Sequence, residues 1–153
     1  MSLPIYQILL TPPWRPRPLA SMDHAKCLLD IEEPQVLALL DCGRLMFGFD
    51  LHTPGAHQPC LRIYTPCLVA YLEHQPQPED LEAVIRDILP KPWHPVLRAT
   101  TLQRCFNVTS NLIHGLVNAG AFKVLRPPHR GCGGCALLDR VSVEEFLRKR
   151  RYC

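Results

Sequence analysis

The amino-acid sequence predicts an α+β chain, mainly α, in which one small helical unit carrying a two-stranded hairpin occurs twice in tandem. Three observations predict it. First, Leu28–Leu45 can be laid over Cys105–Phe122 by a slide of 77 positions. Apolar residues then coincide at 29/106, 31/108, 36/113, 39/116, 40/117 and 45/122, and glycine at 43/120. Self-similarity at a fixed period marks a repeated supersecondary unit. Second, Cys60–Leu72 lies over Cys135–Leu147 at a slide of 75, matching Ile63 to Leu138, Leu68 to Val143, Tyr71 to Phe146 and Leu72 to Leu147. The change of offset falls in a connecting loop, where added length costs little. Third, the chain has 16 prolines in 153 residues, about twice the usual share. They fall mostly at 12–18, 76–78, 90–95 and 127–128, between the periodic segments.

Taken in order, each copy reads the same way. A first short helix is expected over Ser21–Leu29 and again over Thr101–Phe106. A tight turn follows at Asp30 or Asn107, residue types that tolerate a left-handed backbone. A second helix is expected from about 33 to 42 and from about 110 to 119. Thr109 suits the N-cap of the latter, because its hydroxyl accepts a hydrogen bond from an otherwise orphaned amide. Gly43 and Gly120 suit the left-handed C-cap. Alternating strands come next, Leu45–Leu51 and Phe122–Arg126, with return strands Leu61–Tyr64 and Ala136–Asp139. Short helices close the copies, Pro66–Leu72 and Ser142–Arg151. Between the copies, Leu81, Val84, Ile85, Ile88 and Leu89 share one face of an amphipathic helix over 79–89. A proline-rich link, Pro90–Pro95, follows it; such a link is stiffer than a Gly/Ser tether. The domains expected are therefore 1–76, with an extended amino-terminal arm, 77–97 as linker helix and link, and 98–153.

Helix, turn, helix, two-stranded wing and helix together describe a winged helix-turn-helix, a design that presents its second helix to a groove. The string Phe106-Asn107-Val108-Thr109-Ser110-Asn111, continued by Leu116-Val117-Asn118-Ala119-Gly120-Ala121-Phe122, resembles the excisionase/MerR-type winged helix-turn-helix family. So does the ending Leu137–Leu147. The resemblance covers 98–153 and, more loosely, 20–74. It implies DNA binding, as a transcription regulator or as an accessory factor of site-specific recombination and excision.

Charge divides the copies. Residues 1–97 hold 7 Lys/Arg against 11 Asp/Glu, a net of −4, whereas 98–153 hold 10 against 3, a net of +7. A unit at +7 attracts polyanions. No acid occurs between Arg104 and Leu138. The expected DNA-binding residues are Arg104 on the first helix, Thr109, Ser110, Asn111, His114 and Asn118 on the second, and Lys123, Arg126 and Arg130 on the wing. Asn can bond adenine in bidentate fashion, and Ser can contact any base. Arg148, Lys149, Arg150 and Arg151 add a basic tail expected to meet phosphate. In the first copy, Glu32, Glu33 and Asp41 would repel a phosphate backbone, and Leu37 stands where the second copy has His114. That copy is expected to serve assembly, as a homodimer interface or a partner site, with a lesser DNA contact through Arg44 and Arg62 left open. The arm Thr11–Pro18 is expected to be extended in the polyproline manner, packed across the domain by Trp14 or laid along a DNA groove.

The eight cysteines are expected as thiols, because the amino terminus is a poor secretory signal. No run reaches the roughly 18 apolar residues of a membrane span. A cytoplasmic protein without membrane contact is the expectation. Cys27, Cys42, Cys67 and Cys105 read as small buried hydrophobes. His129, Cys132 and Cys135 have the ligand chemistry for zinc, but they form only half of a site. Cys153 or His114 would have to complete it, so no cofactor is expected, and a zinc-stabilised wing is the lesser alternative. Phosphate-cradling, zinc-protease and serine-elbow motifs are all missing from the sequence, and no enzyme is expected. The function expected is a double-stranded DNA-binding protein that reads the major groove with helix 110–119. The alternative is a protein–protein interaction adaptor built on the same units.

Overall fold

The computed structural model describes residues 17–128 and 136–152. Strand–helix–helix–strand–strand–helix occurs twice, with one helix between. The first set is β1 (Leu19–Ser21), α1 (Met22–Leu29), α2 (Glu33–Asp41), β2 (Gly48–Asp50), β3 (Leu61–Tyr64) and α3 (Thr65–Leu72). Then comes α4 (Leu81–Ile88). The second set is β4 (Val96–Arg98), α5 (Ala99–Phe106), α6 (Ser110–Asn118), β5 (Val124–Arg126), β6 (Leu137–Asp139) and α7 (Arg140–Lys149). The described residues are thus α+β and mainly helical, with two small antiparallel sheets ordered β1-β3-β2 and β4-β6-β5.

Local chemistry explains most boundaries. Ser21 caps α1 by accepting from the His24 amide at 3.2 Å. Asp80 caps α4, taking the Glu82 amide at 3.0 Å. Gln35 reaches back to the Glu32 amide at 2.8 Å, satisfying a donor that the start of α2 would otherwise orphan. Asp30 and Asn107 hold the left-handed conformation at the two helix–helix turns, both with φ of 54°. Short polar side chains make that region accessible to them. Gly43 and Gly120 end the second helices at φ of 80° and 76°.

The sheets differ from the two-stranded wings expected. Each carries a third strand, β1 or β4, laid against the return strand. Leu19 pairs with Tyr64 and Ala20 with Ile63; Val96 pairs with Asp139 and Leu97 with Leu138. A three-residue strand has too short a period to announce itself, so β1 and β4 were not expected. One signal was available: Pro18 falls on Pro95 at the same slide of 77. That proline has the same job in both sets. The Pro18 carbonyl accepts the Thr65 amide, and the Pro95 carbonyl accepts the Arg140 amide, each at 2.9 Å. Thr65 and Arg140 are the first residues of α3 and α7, and they are the buried polar residues of the described core.

The core is continuous across both sets. Phe47, Phe49 and Leu45 fill the first half, and Phe106, Leu116 and Leu147 the second. The rings of Phe122 and Phe146 meet edge to face at 4.9 Å between centroids, a favoured aromatic arrangement. Past α7 the chain crosses back to the first sheet. The Asp50 amide donates to the Arg150 carbonyl at 2.8 Å and the Tyr152 amide to the Gly48 carbonyl at 2.7 Å, with Arg151 bridged to Phe49. The last residues thus act as a fourth strand on the β2 edge.

That return path overturns one expectation. Three of the four cations of the basic tail are engaged within the molecule, and Lys149 stays exposed. Arg148 pairs with Glu82 through two bonds, at 2.7 and 2.8 Å. Arg150 lies over the Phe146 ring and donates to the His52 carbonyl at 3.0 Å. Arg151 covers the Phe47 ring at 4.5 Å. Guanidinium groups stack on aromatic faces while donating from their edges, as Arg150 and Arg151 do, so these arginines tie the fold together instead of forming a free phosphate comb.

Arg140 is the deepest of these groups, only 1% exposed. Its Nε donates to Glu144 at 3.1 Å, its Nη1 to the Pro90 carbonyl at 2.9 Å, and its guanidinium sits 5.6 Å from the Trp93 ring centroid. Trp93 in turn donates to Glu144 at 3.2 Å. The proline-rich link is therefore bonded to α7. Arg140→Ala is expected to cost about 3–5 kcal/mol, the usual result of breaking a buried pair and stranding its partner. Urea unfolding monitored by circular dichroism reads it; Arg140→Met, which keeps the volume and removes the charge, is expected to cost less than Arg140→Ala.

Deleting residues 150–153 is expected to lower the unfolding midpoint as well, since it uncovers the β2 edge and the Phe47 ring. An unchanged midpoint would contradict the fourth-strand role.

Candidate nucleic-acid interface

α6 is built to show one face. Thr109 accepts the Leu112 amide at 3.3 Å, which fixes where the helix starts. Ile113 and Leu116 are buried and hold it to the core. Asn111, His114 and Asn118 recur at three- and four-residue spacing and so share the opposite face. All three are exposed, as are Thr109 and Ser110. The first half of the molecule does not cover them.

Cations flank this face. Arg104 near the end of α5, and Lys123 and Arg126 on the approach to and within β5, are exposed. None of the three has an ion pair or hydrogen bond from its side chain among the described residues. The backbone of Lys123 is fixed: its amide donates to Ser142 Oγ at 3.0 Å and its carbonyl accepts the Asp139 amide at 2.9 Å. Arg130 lies outside the described residues, as do the zinc candidates His129, Cys132 and Cys135, and Cys153. Trp14 and the arm up to residue 16 also lie outside. Among the described residues no group of three or more His, Cys, Asp or Glu is placed to hold a metal ion. No helix there is long and apolar enough to cross a membrane.

The first half differs at each corresponding position. Glu32, Glu33 and Asp41 are exposed. Leu37 is half-buried and lines a cleft of about 350 Å³ with Met22, Leu61, Arg62 and Tyr152. Arg62 is not a free cation. Its Nε donates to the Asn107 carbonyl at 2.9 Å, and Arg17 donates to the Asn107 side chain at 2.7 Å. Both arginines brace the α5–α6 turn, so Arg62 is unavailable as a wing contact; Arg44 stays exposed. Two cysteines also depart from expectation. Cys27 and Cys42 are exposed, whereas Cys67 is buried and Cys105 half-buried. Burial pushes the Cys67 thiol up to about 11 and raises the Cys105 thiol. Cys27 and Cys42 stand beside, rather than within, the apolar stripes of α1 and α2.

Sequence reasoning missed how the halves touch at α6. A Cβ at Gly115 would meet Thr53 Oγ1 at 2.9 Å and Thr53 Cγ2 at 3.3 Å. The loop after β2 is seated against the edge of the exposed face, and the missing side chain makes room. Asp50 shapes that loop, accepting from the His52 and Cys60 amides at 3.2 and 3.0 Å and facing the His52 ring at 2.9 Å. Burial raises the Asp50 carboxyl, but these bonds outweigh it and hold the group below its usual range. A depressed carboxyl contributes stability that is present above its unfolded value and lost as pH falls through the folded one. A glycine inside a helix was a visible oddity, but its partner 62 positions away was not.

Comparison with protein-family models, with curated proteins and with solved structures finds no match for this chain. The functional reading rests on the geometry.

A thermodynamic cycle tests the Gly115 contact. Glycine costs a helix roughly 1 kcal/mol relative to alanine. In a Thr53→Ala chain, Gly115→Ala is expected to recover most of that gain. With Thr53 present the gain should shrink or reverse, as read by thermal unfolding. Equal effects in both backgrounds would remove the contact.

Proposed function

We propose that the protein binds double-stranded DNA by placing α6 in the major groove. The observation that carries this reading is a helix face of Ser110, Asn111, His114 and Asn118, all exposed, in a stretch without an acid from 105 to 138. Asn111 and Asn118 supply paired donor and acceptor atoms for base edges, and Ser110 a hydroxyl. Arg104, Lys123 and Arg126 supply phosphate contacts that fix register without reading sequence. The repeated strand–helix–helix–hairpin–helix order supports a winged helix-turn-helix assignment for both halves, with β5 and β6 as the wing strands of the second.

On this reading the halves divide the work. The second presents the duplex-facing helix. The first, with Glu32, Glu33 and Asp41 exposed on and beside α2, serves assembly. Two chains would then set two copies of α6 about one helical turn apart on DNA. The outcome is regulation of transcription or assistance to recombination, by binding rather than by bond cleavage.

Duplex binding should weaken steeply with salt, at about 0.9 log units of affinity per log unit of salt for each phosphate neutralised. Arg126→Gln should weaken binding to all sequences alike and make that slope shallower by about one. Asn111→Ala should cost about 1–3 kcal/mol on the preferred site and relax preference at one base pair. Selection from random duplexes, followed by titration at several salt concentrations, measures all three. A flat salt response would sink the reading. Loss of duplex binding alongside retention of a protein partner would favour the adaptor.

A further inference from the structure

The two sheets share a strand order but differ at their outer edges. The β2 edge carries residues 150–152 as a fourth strand, through the Asp50 amide to the Arg150 carbonyl at 2.8 Å and the Tyr152 amide to the Gly48 carbonyl at 2.7 Å. The equivalent edge of the second half is β5, and no strand pairs with its outer side among the described residues. We propose that the β5 edge binds an extended acidic segment of a partner protein, which adds to the sheet as a fourth strand. Strand addition here does not rest on DNA binding.

Three observations carry it. The first is the internal precedent: the same edge of the same framework takes a short strand in the other half. An open edge offers its amides and carbonyls as a template for an added strand. The second is what β5 shows to solvent. Val124 and Leu125 are 37% and 47% exposed. A phosphate gains nothing from two apolar residues set between Lys123 and Arg126, whereas a strand laid beside them covers them and gains from each cross-strand pair. The register shift between Val124 and Arg126, with prolines at 127 and 128, limits the ladder to a short partner.

The third observation is charge. Asp50 stands on the β2 edge, and the strand that covers it brings Arg150 and Arg151. On β5 the sign is reversed. Lys123 and Arg126 are exposed, with no ion pair or hydrogen bond from their side chains among the described residues, so an acidic strand is their complement. Like charges set opposite one another oppose pairing, which disfavours the β5 edge of a second copy. The residues after α3 lend no strand either: the Gln75 amide donates to the Ala70 carbonyl at 2.8 Å, and Gln77 donates to the Cys67 carbonyl at 2.9 Å. Lys123 and Arg126 are also the cations given to phosphate above, so an acidic strand and a duplex compete for them.

The probe is the peptide acetyl-Glu-Val-Thr-Val-Glu-amide, titrated into isotope-labelled full-length protein and followed by NMR. The amides of residues 124–126 should shift, and their hydrogen exchange should slow. A peptide with lysines in place of the glutamates, and one with N-methylated valines that cannot donate to a ladder, should each bind about fivefold more weakly or worse. Arg126→Glu, and Val124→Ser with Leu125→Ser, all at exposed positions, should each weaken binding about two- to fivefold with unchanged circular dichroism. No shift at 124–126 up to the solubility limit of the peptide overturns the proposal. So does equal binding of the lysine or the N-methylated peptide. Shifts on β5 that follow protein concentration without peptide overturn it in favour of a second copy. A duplex that the protein binds should displace the peptide; both bound together would overturn the competition. A chain that takes the peptide but no duplex keeps the strand site and loses the DNA reading.

Discussion

The strand formed by the last residues decides what kind of molecule this is. Two three-stranded sheets with short helices are, separately, near the lower limit of what a small core can stabilise. Main-chain bonds from Arg150 and Tyr152 to β2 place the end of the second half on the edge of the first. An exposed edge is a liability that proteins cover or blunt, and here the cover comes from the other half. Once that strand is seated, Arg151 covers Phe47 and Arg150 reaches the His52 carbonyl. The loop after β2 then rests on α6 at Gly115. The Arg62 and Arg17 bonds to Asn107 add a second seam.

The same constraint sorts the cations by role. A positive charge of +7 in the last third looks uniform along the sequence but is not uniform in space. Arg140, Arg148, Arg150 and Arg151 are turned to carboxylates, carbonyls and rings. Arg104, Lys123 and Arg126 stand at the surface around α6. The first group makes the bidentate and stacked contacts that suit a guanidinium, and of its members Arg140 is buried. It is telling that all four committed cations are arginines, while the surface set includes a lysine.

The repeated scaffold shows how one framework can carry two surfaces. Equivalent first residues of α3 and α7, Thr65 and Arg140, make the same main-chain bond to a proline. Their side chains then diverge, one to the arm's junction at Arg17 and the other to Pro90 and Glu144. On the second helices, buried Val36 and Ile113 correspond, while exposed Glu33 faces Ser110 and Leu37 faces His114 in the alignment. Packing preserves one side of the helix and leaves the other free to differ.

Periodicity, caps and turn residues were enough to read much of this fold from the chain: the helix–helix turns at Asp30 and Asn107, the caps at Thr109, Gly43 and Gly120, and the return strand Leu61–Tyr64. These are local, set by the backbone preferences of a few neighbouring residues. So was the choice of Ser110, Asn111, His114 and Asn118 as an outward face, because helical spacing alone places them opposite Ile113 and Leu116. Tertiary structure decided the rest. It added β1 and β4, which exist only because β3 and β6 offer an edge. It engaged Arg62 and the terminal arginines in contacts within the molecule, exposed Cys27 and Cys42, and placed Thr53 against Gly115. Each of these joins residues far apart in sequence, and a sequence pattern records what a residue prefers nearby, not which distant group will meet it.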